Sequence, residues 1–214
     1  MAAVALGRDF AFKVGKPEVC PTGVAEVDVM AGGLPQGCLS EIYGPASSGR
    51  TSLMLAAMAS ASGSGNVCAL VDASDAFDPA SAAAAGVRLE RLLWVRCGGN
   101  AEHALKAADL LVQGGGFGLV VMDLADTPVV TARRISMTSW FRLRRAVEHT
   151  PTVLLVVEQQ PLAKTCASLT LEMRRAAVGW AGMPGCSRLL RGIRIHVDRR
   201  KPVPAMAASF VSRW

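Results

Sequence analysis

Residues 44–51, Gly-Pro-Ala-Ser-Ser-Gly-Arg-Thr, have the spacing of the phosphate-binding loop G-x-x-x-x-G-K-[ST]. Glycines in such a loop let backbone N–H groups turn toward phosphates, and the helix that follows adds a favourable dipole. A Gly/Ser turn at a helix start is the alternative, but the preceding strand, the spacing and the helix together favour a phosphate site. The predicted cofactor-binding residues of this loop are Gly44, Ser48, Gly49, Arg50, Thr51 and Ser52.

The loop departs from its motif at position 50, where arginine replaces lysine. Lysine reaches the phosphates as a compact charge, whereas the guanidinium of Arg50 is planar and wider. Arginine still neutralises phosphate, but not in the same geometry. Thr51 keeps the hydroxyl that would hold Mg²⁺, so the sequence leaves open whether the loop binds phosphate.

A second acidic element follows further along the chain, where the apolar residues 119–122 end at Asp123. In nucleotide-hydrolysing enzymes with a phosphate loop, an aspartate at the end of such a strand organises the Mg²⁺ shell. Many buried strands end in aspartate, so the signal is weak alone. Its position, one crossover after the loop, favours the functional interpretation of Asp123.

The elements that must position these residues alternate between apolar strands and helices. Fully apolar strands between helices indicate an α/β fold, with a mainly parallel central sheet covered by helices on both faces. Two later strands predict an antiparallel addition at the C-terminal end. Strands are expected at 37–44, 67–72, 92–95, 119–123, 152–157, 193–197 and 207–211, and helices at 51–61, 101–112 and 139–148.

Length and composition predict one domain. A chain of 214 residues with 51% hydrophobic content buries one sizeable core. We divide it into an N-terminal segment, 1–19, and a domain at 20–214. No apolar run approaches the ~20 residues that cross a bilayer, and charges within residues 1–12 exclude an export signal, so we expect a cytoplasmic protein without a membrane.

The net charge of +6 is concentrated in the second half of the chain, in groups of arginines. Such a surface suits a polyanion or an acidic partner protein, and a solvated face is the equal alternative. The three histidines have no Cys or acid at ligand spacing, so no metal site is predicted. Trp94, Trp140 and Trp180 are expected to pack in the interior rather than stack on bases.

The opening of the chain closely resembles the core of the RecA family. The matching runs are Thr22-Gly-Val, residues 32–37 (Gly-Gly-Leu-Pro-Gln-Gly), residues 41–49 (Glu-Ile-Tyr-Gly-Pro-Ala-Ser-Ser-Gly) and residues 70–79 (Leu-Val-Asp-Ala-Ser-Asp-Ala-Phe-Asp-Pro). The similarity extends over roughly residues 20–202. It implies a RecA-like ATPase core in which Asp78 contacts adenine and Gln159 couples nucleotide to DNA.

The departures from RecA predict a degenerate nucleotide site. Ser74 stands at the position of the catalytic glutamate that activates water, and a hydroxyl is not a general base. Neighbouring Asp75 is one residue out of register. Ser81 replaces the tyrosine that stacks on adenine. Together with Arg50, these changes argue against ATP hydrolysis: we expect no catalytic residue and no required cofactor, with ATP and Mg²⁺ as the ligands that the loop would take.

The DNA-binding elements of RecA are reduced in this sequence. The second DNA loop should follow Gln159, yet residues 160–166 are short and poor in glycine. The first DNA loop would lie near residues 127–137, where Arg133 and Arg134 are available for phosphates, although a solvated helix start is equally consistent. The resemblance also implies that the N-terminal docking elements and the C-terminal domain of RecA are absent.

A short, degenerate RecA core is similar to the ImuA family of damage-inducible mutagenesis cassettes. Membership would imply RecA, an inactive Y-family polymerase homologue and an error-prone replicative-type polymerase as partners. Three functions remain open: a non-catalytic accessory protein in SOS-induced translesion synthesis, a nucleotide-gated switch or weak ATPase of DNA repair, and a DNA-binding accessory that uses the basic second half. The altered site favours the first.

Overall fold

The computed structural model describes residues 18–182 and 187–213. The predictions that fall on residues 1–17 and on Trp214 lie outside these ranges. The described helices are α1 (Ala25–Ala31), α2 (Arg50–Gly63), α3 (Pro79–Ala84), α4 (Ala101–Gly114), α5 (Val129–Ala132) and α6 (Met137–Val147). The described strands are β1 (Val19–Cys20), β2 (Leu34–Pro35), β3 (Leu39–Tyr43), β4 (Cys68–Asp72), β5 (Leu92–Arg96), β6 (Leu119–Asp123), β7 (Val153–Glu158), β8 (Leu169–Ala181), β9 (Leu189–Lys201) and β10 (Met206–Arg213).

The central sheet has the strand order β10-β9-β8-β3-β7-β6-β4-β5. The strands from β8 to β5 in this order are parallel, and β9 and β10 extend the sheet as an antiparallel addition. The predicted fold class, including the antiparallel C-terminal strands, is therefore confirmed. β1 and β2 form a small separate antiparallel pair.

Apolar side chains cover the sheet on both faces. One cluster joins the sheet to α1, α2 and α3, and includes Val27, Leu53 and Ala82. The other joins it to α4 and α6, and includes Ala104 and Trp140. Strands buried on both faces favour apolar residues at most positions, which is why the sequences of β4, β6 and β7 are nearly continuous apolar runs rather than alternating ones.

Local signals account for the two long helices on the second face. Asn100 caps α4 by accepting hydrogen bonds from the N–H groups of Glu102 and His103, at 2.9 Å and 3.1 Å. In α6, the predicted apolar face of Trp140, Leu143 and Val147 is buried, as expected from its helical spacing.

β8 is the long strand that we failed to predict, besides the two-residue strands β1 and β2. Apolar and polar residue types alternate over its first five positions, where the apolar Leu169, Leu171 and Met173 are buried. The positions from Arg174 to Ala177 are exposed. This alternation was the signal that could have predicted β8, but the basic and exposed residues after Met173 obscured it. No helix in the described part of the chain has the length and apolar character that a bilayer crossing requires.

Candidate functional site

The carboxyl ends of the parallel strands meet at one edge of the sheet, and the phosphate loop lies there. The loop follows β3 and ends at Gly49, whose φ of 92° and ψ of 10° place it in the left-handed region that favours glycine. α2 begins at Arg50. The first N–H groups of a helix lack acceptors within the helix, so this end of α2 is suited to an anion.

The loop backbone packs closely on β8. A Cβ atom at Gly44 would overlap the carbonyl oxygen of Met173 and lie 2.8 Å from Ser48 Oγ. The Ser48 hydroxyl is buried and has no partner among the described residues. The lack of a side chain at Gly44 therefore permits the close approach of the loop to the sheet.

A cleft of about 330 Å³ lies over the loop. Residues 47–52 form one wall, and Leu190, Ile193, Ile195 and Ser212 from β9 and β10 form the other. Ile195 lies so close to Gly49 that a Cβ atom there would overlap it. Ser212 donates a hydrogen bond to Ser52 Oγ at 3.1 Å, so the C-terminal hairpin is attached directly to the loop.

Arg50 is turned toward the segment that follows β6. Its side chain is buried, and Nη1 lies 3.4 Å from the carbonyl oxygen of Ala125. Burial lowers the pKa of Arg50, while the nearby carboxylates of Asp123 and Asp126 oppose that shift by attracting the cation. The guanidinium therefore lies in the electrostatic field of the acid that was predicted to organise Mg²⁺.

Asp123 itself is desolvated at the end of β6. Desolvation raises its pKa to about 6, and the charges of Asp72 and Asp126 add to the shift. A hydrogen bond from the Ala125 N–H to Asp123 Oδ1, at 2.9 Å, and the charge of Arg50 act in the opposite direction. The site thus holds a carboxyl whose charge changes near neutral pH.

Gln159 follows β7 and meets the same segment. Its Nε2 donates to the carbonyl oxygens of Ala125 and Thr127, at 3.0 Å and 3.1 Å. The structure therefore brings the predicted coupling residue into contact with the peptide that also accepts from Arg50.

Ser74 and Asp75 follow β4 and point to different neighbours. The Ser74 hydroxyl lies 3.4 Å from Thr127 Oγ1, beside the Gln159 contact. Asp75 accepts from the Gly98 N–H at 3.2 Å and from Arg96 at 3.1 Å. The carboxylate next to the predicted base position is thus bonded to the end of β5 and the loop after it.

The two residues matched to the adenine contacts are bonded to each other. Asp78 is the N-cap of α3 and accepts from the N–H groups of Ala80 and Ser81 at 3.2 Å and 3.0 Å. The Ser81 hydroxyl also donates to Asp78, and these bonds lower the pKa of the Asp78 carboxyl. The Asp78 carboxylate therefore already accepts hydrogen bonds from residues of α3, without an adenine ring.

Arg133 and Arg134 lie beside the short segment that follows Gln159. Arg133 donates a hydrogen bond to Gln160. A groove of about 610 Å³ lies between the two arginines and this segment. Arg133, Arg134 and Lys164 line this groove. It is the described surface that corresponds to the predicted phosphate contacts of a nucleic acid.

Sequence reasoning missed a buried pair of glutamates beneath this segment. Glu41 accepts from the N–H groups of Leu162 and Ala163 at 2.7 Å and 2.8 Å, and Glu158 accepts from Leu162 at 3.2 Å. Burial raises the pKa of Glu158 well above its usual value, and the neighbouring carboxyl of Glu41 adds to the shift. Glutamates inside apolar strands, at positions 41 and 158, were the signal that could have identified the pair.

A glycine-rich loop between a strand and a helix, with an aspartate at the end of a neighbouring parallel strand, defines a P-loop domain. The family can be stated as well. A family model, "RecA N-terminal domain", matches residues 2–134, and the chain belongs to that family.

Curated relatives named Protein RecA match the chain at moderate identity. The protein of Leifsonia xyli subsp. xyli is 37% identical over 158 residues, which cover 66% of this chain and 44% of the relative. That of Clavibacter michiganensis subsp. michiganensis is 34% identical over 174 residues, covering 72% and 48%. That of Methylococcus capsulatus is 47% identical over 108 residues, covering 50% and 31%. The chain therefore spans less than half the length of these relatives.

Proposed function

We propose that this chain is a non-catalytic RecA-like accessory protein in SOS-induced mutagenesis and translesion DNA synthesis, which binds RecA, polymerase subunits or both. The observation that carries the proposal is the position of Arg50. Its buried guanidinium lies beside Asp123 and contacts the Ala125 carbonyl at 3.4 Å. A protein cation thus lies next to the acid that would otherwise organise Mg²⁺.

The surroundings of Ser74 support the absence of hydrolysis. A hydroxyl with a pKa far above neutrality does not take a proton from water as a carboxylate does. Asp75 is engaged by Arg96 and the Gly98 N–H. The backbone of the loop and the N-terminus of α2 still fit a phosphate group, so the residues present suit binding better than turnover.

Partner binding is proposed from the family and from the ImuA resemblance. The named relatives are RecA proteins, and this kinship supports RecA itself as the first partner to test. The Y-family polymerase homologue and the error-prone replicative-type polymerase enter as further partners through the ImuA resemblance. No cofactor is required for this role.

One observation favours a second candidate, a nucleotide-gated switch. Arg50 and Gln159 meet at Ala125, and Gln159 continues into the segment beside Arg133. A phosphate that drew Arg50 away would change this contact. Tight Mg²⁺-dependent ATP binding that alters RecA affinity would favour the switch over a constant partner protein.

The direct test is binding of RecA to the immobilised chain, measured by biolayer interferometry with and without ATP and Mg²⁺. We expect saturable binding in the absence of nucleotide, with an affinity that ATP leaves unchanged. Saturable binding that appears only with ATP would support the switch instead. If RecA and both polymerase partners, each purified, fail to bind under either condition, the accessory role is wrong.

A further inference from the structure

β8 and β9 form a ribbon that extends beyond the rest of the sheet. β3 ends opposite Glu172, whereas β8 continues to Ala181 and β9 is its described neighbour there. We name residues 173–182 and 187–194 the basic ribbon. Residues 173–194 include five arginines and no aspartate, glutamate or lysine. The ribbon therefore carries a net positive charge.

Besides Arg188, which lies over the Trp180 ring, three arginines of the ribbon are exposed and available. Arg174 is paired with Asp198. In contrast, no carboxylate of the described residues forms an ion pair with Arg175, Arg191 or Arg194. Arginines left without a local acid favour an external anionic partner, since their own fold does not neutralise them.

Two of these arginines flank a groove of about 320 Å³ on the ribbon. Its floor consists of small residues, because Gly179 lies opposite Gly192 and Ala177 opposite Arg194. Val211, which lies opposite Arg194, supplies an apolar wall, and Arg191 and Arg194 form the rim. The face that carries Ile193 and Ile195 instead lines the phosphate-loop cleft.

Large apolar side chains are also exposed toward the tip of the ribbon. Trp180 is 50% exposed and Leu189 is 68% exposed, so the expectation that Trp180 packs in the interior was wrong. The guanidinium of Arg188 lies 6.0 Å from the centre of the Trp180 ring. Tryptophan and arginine are the residues most enriched among energetically dominant contacts of protein interfaces.

From this arrangement we infer that the basic ribbon is a docking site for an acidic segment of a partner protein, with an apolar side chain of that segment in the groove between Arg191 and Arg194. The inference rests on the proposed function, because it states the chemistry of the partner. A nucleic-acid backbone would use the arginines, but it offers no aliphatic side chain for the groove walls. The combination of apolar floor and basic rim therefore favours an acidic peptide.

The test uses the full chain and a fluorescent synthetic peptide in which runs of glutamate flank one leucine. Binding is followed by anisotropy for the wild-type chain, for Arg191→Glu/Arg194→Glu, and for Arg88→Glu/Arg145→Glu, which makes the same charge change at exposed positions elsewhere. We expect the ribbon variant to lose about tenfold or more in affinity relative to the control variant. Replacing the leucine of the peptide by serine should also weaken binding.

Equal losses in the two variants would overturn the inference, because they would show attraction by net charge alone. If the serine peptide bound as tightly as the leucine peptide, the groove would not hold an apolar side chain, and the inference would be overturned. If the wild-type chain did not bind the peptide but bound oligothymidylate, and the ribbon variant lost that binding, the ribbon would be a nucleic-acid site instead. ATP turnover would contradict the proposed function but says nothing about peptide binding to the ribbon. Failure of the docking inference therefore does not imply failure of the proposed function.

Discussion

Arg50 and Gln159 donate to the same carbonyl oxygen, that of Ala125, at 3.4 Å and 3.0 Å. The first residue belongs to the phosphate loop and the second to the end of β7, so one peptide joins two parts of the candidate site. Gln159→Leu should lower the free energy of unfolding by about 1–3 kcal/mol, because two inward carbonyls lose a donor. Urea unfolding measures the change.

Gln160→Leu is the matched control for this change. Gln160 is exposed and bonds only to Arg133 at the surface among its described contacts, so its replacement should alter stability by less than about 0.5 kcal/mol. Equal effects of the two substitutions would contradict the structural importance of the Ala125 contact.

Gly49→Ala should destabilise the chain by roughly 2–4 kcal/mol. Its φ of 92° is strained for alanine, and the new methyl group would overlap Ile195. Gly63→Ala, at the end of the same helix, meets nothing within 4 Å and should be neutral or slightly stabilising. Thermal unfolding of both variants checks the difference, and a tolerated Gly49→Ala would show that the hairpin does not pack on the loop.

Asp123→Asn should stabilise the protein above pH 6. The folded pKa of about 6 exceeds the usual 3.8, so the folded state holds the proton more strongly than the unfolded state. The unfolding free energy therefore falls as pH rises between these values, by up to about 3 kcal/mol. Asparagine keeps the acceptor for Ala125 without the charge, and its curve of stability against pH should lack this decrease.

The exposed Glu90→Gln variant serves as the control for that experiment, because Glu90 is not among the charges that act on Asp123, and its pH dependence should follow the wild type. A less stable Asp123→Asn at pH 8 would mean that the attraction to Arg50 outweighs the desolvation of the carboxyl.

Glu158→Gln should likewise remove a decrease in stability with rising pH. Burial and the neighbouring carboxyl of Glu41 raise the pKa of Glu158 well above 4.5, so stability present at lower pH is lost as pH rises toward the folded pKa. Glutamine retains the shape and has no proton to lose. Unfolding curves between acidic and alkaline pH measure the slope, and an unchanged slope in the variant would exclude a shared proton between the two glutamates.

The fold was largely predictable because most of its parallel strands are mainly apolar and because α4 and α6 have clear apolar faces. The strand ending at Asp123 and the helix containing Trp140 followed directly from these patterns. β8 was missed because it leaves the core after Met173, where burial no longer determines residue type. Trp180 was misjudged for the same reason, since composition does not reveal that a ribbon extends beyond the sheet.

The candidate site was predictable in its members but not in its contacts. The spacing of the loop identified Arg50 and Thr51, and the resemblance identified Gln159. That Arg50 and Gln159 meet at Ala125 depends on the order of strands in the sheet, which no local pattern encodes. The hydrophobic wall at Ile195 depends on the hairpin folding back over the loop, which is equally non-local.

The most direct test of the central claim is release of phosphate from ATP by the purified chain in the presence of Mg²⁺. The account predicts no turnover above the uncatalysed background for the wild-type chain. It predicts the same for Arg50→Lys, because Ser74 still supplies no base and Asp75 remains bonded to Arg96. Robust Mg²⁺-dependent turnover by the wild-type chain, abolished by Thr51→Ala, would contradict a non-catalytic role.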